Sequence, residues 1–189
     1  DRVFITKGMG VTVTGAIQSG SVSGGDELLL MPDHLPVKVR SIHAQGQSAE
    51  IATSGNRCGL VLSGVELGEV RRGQWLVSPH LMQSVERFDA KIDLSKDARL
   101  VIKDGDILLL YHGTDFTSAR LILLEKNQLN PGESTLVQCV LQKPLSMCWS
   151  DRFILRDTSA RFTLAGGVVL DIYPPLRNRK IPDRFKFFI

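Results

Sequence analysis

The chain has 189 residues, 43% hydrophobic and 23% charged, with 23 Lys plus Arg against 20 Asp plus Glu and a formal charge of +3. No uncharged run reaches the roughly 20 residues that a membrane helix needs, which excludes a helical span, and the charge is far from the footprint of a dedicated nucleic-acid binder. Three dispersed cysteines, Cys58, Cys139 and Cys148, form no CxxC pair; they argue against a disulfide framework or a zinc site and for a reducing compartment, the cytoplasm by default.

The length fits one ordinary domain or two small ones. The chain begins at Asp1 with no methionine and no apolar leader, so the expectation is a piece of a longer protein. A short strand, Val3 to Ile5, leads into KGMGVTVTGAIQSGSVSGGD, residues 7–26. There Val11 and Val13 alternate with Thr12 and Thr14, the signature of a half-buried strand with the valines inward and the hydroxyls outward. The glycines around it mark the corners that a small closed β-barrel requires. Further strands are expected at Glu27 to Met31, Val37 to Ile42, Ser48 to Thr53, Cys58 to Leu62 and Trp75 to Ser78. Turns such as Pro32 to Pro36, Ser54-Gly55-Asn56 and Arg72-Gly73 separate them.

Strand signals pause between Pro79 and Glu86, and a second series begins at Phe88. It continues at Ile107 to His112, Ala119 to Glu125, Leu136 to Leu141, Phe153 to Arg156 and Val168 to Tyr173. No segment keeps a 3.6-residue period over three turns, so helices are limited to single turns such as Val65 to Val70. The expectation is an all-β protein of two consecutive small barrels, residues 1–82 and 83–174. A basic, proline-punctuated linker, 175–189, follows, carrying Arg177, Arg179, Lys180, Arg184 and Lys186. That segment reads either as a phosphate-contacting tail or as a solvated connection to a further domain, and the connection is the expectation here.

No GxxxxGK[ST] phosphate loop, HExxH, GxSxG or spaced His/Cys ligand set occurs, so neither a catalytic residue nor a metal site is expected. His34, His43, His80 and His112 lie in separate segments. The glycines of Gly8 to Gly10 precede a strand rather than a helix N-terminus, which argues against phosphate binding there.

The pattern GxGxVxTGxIxxGxVxxGD of the opening stretch, with GLVLSG at Gly59 to Gly64 and RRGQWLVS at Arg71 to Ser78, resembles the second domain of translational GTPases of the elongation factor Tu superfamily. Within it, HAQGQ at His43 to Gln47, GNRCGLVLSGV at Gly55 to Val65 and DRFILRDTSARFTLAGGVVLD at Asp151 to Asp171 are most similar to bacterial selenocysteine-specific elongation factors. The resemblance implies domains II and III of such a factor, the barrels that hold selenocysteinyl-tRNA for the ribosome. A GTPase domain using GTP and Mg would precede them, and winged-helix domains that bind the mRNA selenocysteine insertion hairpin would follow; neither cofactor is expected in these residues. The same scaffold also serves general elongation and initiation factors and the GTPase subunit of sulfate adenylyltransferase, which remain the alternatives.

The resemblance further implies an aminoacyl pocket on domain II, at positions matching Asp1, Arg2 and Arg57, with His43 as a further candidate. A selenol is more acidic than a thiol, so the selenocysteine side chain is an anion at neutral pH while an ordinary cysteine is mostly protonated. Arg2 and Arg57 offer permanent positive charge, and Asp1 an acceptor for the α-amino group. Factor Tu has an uncharged asparagine where Arg57 stands, as suits neutral side chains. From spacing alone, however, Arg57 reads first as an exposed arginine after a turn, and Asp1 and Arg2 as residues at a frayed end. Arg71 and Arg72 read as turn solvation, and Arg152, Arg156 and Arg161 as phosphate contacts or partners of Asp151 and Asp157.

Overall fold

The structure, a computed structural model, describes residues 1–44, 46–79, 81, 83–177 and 180. Those residues contain strands and one 3-10 turn, with no α-helix. The chain divides into two compact units, Asp1–Met82 and Gln83–Ile189.

In the first unit the strands are β1 (Arg2–Thr6), β2 (Gly10–Ala16), β3 (Ser21–Ser23), β4 (Glu27–Met31), β5 (Leu35–Ala44), β6 (Gln47–Ala49), β7 (Ile51–Thr53), β8 (Arg57–Ser63) and β9 (Trp75–Val77). The 3-10 turn, Leu67–Glu69, is the single turn expected in that region. The main sheet runs β1-β2-β8-β5-β4-β9 with β6 on β5, while β3 and β7 form a separate two-stranded ribbon. Sheet and ribbon share one core, in which Val11, Val22, Leu30, Val39, Ile42, Ala52 and Leu60 are buried.

Two local expectations change. Ser48 to Thr53 is two strands, because Glu50 bends the chain so that β6 pairs β5 and β7 pairs β3. Thr12, expected outward, is buried, and its hydroxyl lies 2.7 Å from that of Thr6, which removes the cost of burying it.

The second unit contains β10 (Gln83–Leu94), β11 (Ile102–Lys103), β12 (Ile107–His112), β13 (Asp115–Leu123), β14 (Gln128–Leu129), β15 (Ser134–Met147), β16 (Arg152–Arg156) and β17 (Thr163–Asp171). Six of them close into a barrel in the order β10-β15-β13-β12-β16-β17, which leaves no free edge in that sheet. The alternation along each strand puts Phe88, Ile92, Leu110, Leu121, Val137, Phe153 and Leu155 inside. Each such side chain contributes roughly 1.5–3 kcal/mol on burial. β10 starts five residues earlier than Phe88, with a bulge between Val85 and Arg87. Its polar opening, Gln83-Ser84, hides it from a hydrophobicity reading.

Of the tail, Pro174 is buried, Pro175 accepts a 3.4 Å bond from Gln138 Nε2, and Lys180 pairs with Asp104 at 3.0 Å. Arg179, Arg184, Lys186 and the terminal aromatic residues lie outside the described residues, as does His80.

Candidate functional site

The register of the first unit sets out one row of side chains on four neighbouring strands. Arg2 on β1 pairs Thr14 on β2, Thr14 pairs Gly59 on β8, and Gly59 pairs His43 on β5. Directly paired residues share a face, and so do residues two apart on one strand. Arg57 therefore stands on the same face as Arg2, Thr14 and His43, while Cys58 between them points into the core and is 5% exposed.

The turn before β8 fixes where Arg57 begins. Gly55 takes φ +86°, a conformation glycine adopts without a Cβ penalty. Asn56 closes the turn: its Oδ1 accepts from Thr53 N at 3.1 Å, and its own N–H donates to Thr53 O at 2.9 Å. Ile17 N donates to Asn56 O at 2.9 Å, tying the turn to the end of β2.

From that position Arg57 Nη1 pairs with the Asp1 carboxylate, and the two side chains are 62% and 33% exposed. Asp1 is itself placed by the ladder, since its amino nitrogen donates to Thr14 O at 2.6 Å. The structure thus brings Asp1, Arg2, Arg57 and His43 to one face of one sheet.

Between Thr14 and His43 the face is hollow, because Gly59 has no side chain. A Cβ built there would meet only ordinary contacts, 3.9 Å from Thr14 Cγ2 and 4.0 Å from His43 O. The resulting open cavity of about 420 Å³ is lined by Thr14, His43, Gly55, Asn56, Arg57 and Gly59 among others. Thr14 Oγ1 is buried with no hydrogen-bond partner among the described residues. Arg57, His43 and the spare Thr14 hydroxyl border a space that a small charged group can enter, with Asp1 paired to Arg57 and Arg2 on the same face.

Arg72 belongs to this neighbourhood although its sequence context suggested only turn solvation. Its neighbour Arg71 is tied up, with Nη1 2.7 Å from Asp33 Oδ2 and Gln74 Nε2 bonded to the same oxygen at 2.6 Å. Arg72 instead lies within electrostatic reach of residue 1. Identical neighbours in sequence therefore have different surroundings, which adjacency cannot reveal. Thr14 and Gly59 are likewise legible as strand residues but not as the walls of a hollow.

The outer wall of the second barrel carries a different feature. Tyr111 and Phe116, paired across β12 and β13, stack with centroids 5.0 Å apart and planes 18° apart. Lys143 Nζ lies 5.7 Å from the Phe116 centroid and Arg156 Cζ 5.5 Å from that of Tyr111. Ile154, paired with Tyr111, is also exposed, so the patch is apolar with cations on it. Asp151 and Asp157, the expected partners of the nearby arginines, are engaged elsewhere. Asp151 accepts from His112 at 3.2 Å and from Cys148 N at 2.8 Å, and Asp157 accepts from Phe162 N at 2.5 Å within its own loop. Among the described residues no cluster of three or more His, Cys, Asp or Glu could hold a metal ion.

Two family descriptions match the chain, "Elongation factor Tu domain 2" at residues 10–77 and "Selenocysteine-specific elongation factor, beta-barrel domain" at residues 87–176. The selenocysteine-specific elongation factor of Escherichia coli is 34% identical over 97% of this chain. The chain belongs to the selenocysteine-specific elongation factor family. The Haemophilus influenzae member is 31% identical over 99% of the chain. The chain spans 28% and 30% of the length of these two relatives. The apo crystal structure of translation elongation factor SelB from Methanococcus maripaludis matches 95% of the chain and 43% of its own, with a TM-score of 0.84 at 24% identity, a likeness of fold. In family terms, Thr14, His43, Arg57 and Gly59 lie within the residues matched to factor Tu domain 2, with Arg2 before them, and the aromatic patch lies on the selenocysteine-specific β-barrel domain.

Proposed function

We propose that this chain is the tRNA-holding part of a selenocysteine-specific elongation factor, binding selenocysteinyl-tRNA for delivery to the ribosome at recoded UGA codons. The observation that carries the reading is the Gly59 hollow with Arg57 and Arg2 on its face and Asp1 beside them. The arginines receive the selenolate, the Asp1 carboxylate receives the α-amino group, and His43 closes the side opposite Thr14. A neutral serine or a protonated cysteine side chain gains nothing comparable from the cations, so charge is the basis of selection.

The stacked Tyr111–Phe116 pair with Lys143 and Arg156 supplies what an RNA stem needs from the second unit: cations for phosphates and flat apolar surface for sugar and base edges. Residues 1–82 act as domain II, 83–174 as domain III, and 175–189 as the connection onward. GTP hydrolysis, with its Mg, belongs to a GTPase domain outside this chain, and mRNA hairpin binding to domains beyond residue 189. The setting is the cytoplasm, where ribosomes work.

The test is equilibrium binding of the chain to selenocysteinyl-tRNA and to seryl-tRNA of identical sequence, under reductant. Preference for the selenocysteinyl form, lost in Arg57→Ala, is expected. Equal binding of the two by the unaltered chain overturns the reading.

A further inference from the structure

The Arg57 guanidinium is paired with the Asp1 carboxylate, whereas the side chain of Arg2, on the same face, has no ion pair or hydrogen bond among the described residues. The groups assigned to the two ends of an aminoacyl ester, its anionic side chain and its ammonium, are therefore each other's partners in the structure. We infer that Asp1 couples recognition of the two ends of the ligand, so that ammonium and side-chain anion are bound cooperatively; this rests on the function proposed above.

Charge balance gives the reason. When an anionic side chain takes Arg57, the Asp1 carboxylate loses its partner and is freed for the ammonium. When the ammonium takes Asp1, Arg57 loses its partner and is freed for the anion. A ligand with both charges exchanges one ion pair for two and strands neither group. A ligand with a neutral side chain leaves Asp1 shared between Arg57 and the ammonium, and one with a blocked amine leaves Asp1 unpaired once Arg57 turns away. The size of the coupling is set by the pair that is given up. Both partners are partly solvated, and exposed pairs of this kind correspond to about a two- to fivefold change in affinity. The linkage is local and reciprocal, requiring no movement beyond two side chains.

The test compares the chain's affinity for four probes of one tRNA sequence: selenocysteinyl and seryl, each with a free and an N-acetylated amine. In the unaltered chain, acetylation is expected to weaken the selenocysteinyl form about two- to fivefold more than the seryl form. In Asp1→Asn the two penalties become equal. In Arg57→Ala the seryl penalty rises to that of the unaltered selenocysteinyl form, because Asp1 is then free for any ammonium. Equal penalties in the unaltered chain overturn the coupling while leaving the proposed function standing, provided selenocysteinyl-tRNA is still preferred. Loss of that preference overturns the function itself.

Discussion

Phe153 lays its ring over Gly167, its partner across the β16–β17 ladder, so closely that a methyl group at 167 would stand 2.8 Å from both Cε atoms and closer still to Cζ. The glycine is there for the ring, since its own backbone does not take the left-handed conformation.

Gly167→Ala is accordingly expected to destabilise the second unit by about 1–3 kcal/mol, the range for overpacked cores. Urea unfolding followed by tryptophan fluorescence and far-UV circular dichroism measures it. Phe153→Leu in the same chain should recover part of the loss, because the steric conflict lies with the aromatic ring; an alanine variant as stable as the original would show that the core yields freely.

Gly59 makes the opposite case. The space above it is open, so Gly59→Val should fold with stability within about 0.5–1 kcal/mol of the original, a branched residue being at home in a strand. The side chain then fills the floor between Thr14 and His43, and any preference for selenocysteinyl-tRNA over seryl-tRNA should fall at least tenfold. Retained preference would move the ligand away from this hollow.

How far such features can be read from the chain depends on whether they are local. The opening glycines and the Val11–Val13 alternation name a strand, and the all-β class follows from a succession of short apolar runs between turns. What alternation cannot name is the partner: Ser48 to Thr53 reads as one strand, yet Glu50 divides it between two different neighbours. It also fails where a hydroxyl finds a companion indoors, as Thr12 does with Thr6. β10 begins with Gln83-Ser84 and has no apolar signal until Val85. At the candidate site, Arg57 is conspicuous as a cation after a turn, but Arg72 acquires its place only through the fold, since its interaction with residue 1 spans nearly the whole first unit.

Asp151 predicts a specific acid response. Burial raises its pKa, but hydrogen bonds from His112, from Cys148 N and from the Cys148 thiol outweigh that and hold the carboxyl below the usual value of 3.8. A carboxyl depressed in the folded state stabilises the protein above its unfolded pKa, and that stabilisation is lost as pH falls through the lower, folded value. Asp151→Asn should therefore cost about 1–2 kcal/mol at pH 6. The difference from the original should shrink once pH drops below about 4. Urea midpoints between pH 6 and pH 2.5 report it, and a pH-independent difference would assign the effect to packing.

The aromatic patch yields a salt-dependence prediction. Lys143→Ala and Arg156→Ala should each lower the slope of log affinity for tRNA against log salt by about one, the signature of one phosphate contact. Phe116→Ala should weaken binding with the slope retained, because a ring releases no counterion. Filter binding across a salt series separates these outcomes. Slopes unaltered by both cationic variants would place the RNA elsewhere on the barrel.

Because successive residues of β8 face opposite ways, Arg57 meets solvent while the neighbouring Cys58 sulfur is packed in the core, its thiol pKa raised by burial. Selenolates combine readily with sulfur under oxidising conditions, and a cargo held beside Arg57 would sit one residue from such a partner. The sheet itself would be the insulation: Cys58 packs in the core on the face opposite Arg57, so the strand carrying the arginine turns its sulfur away from that side.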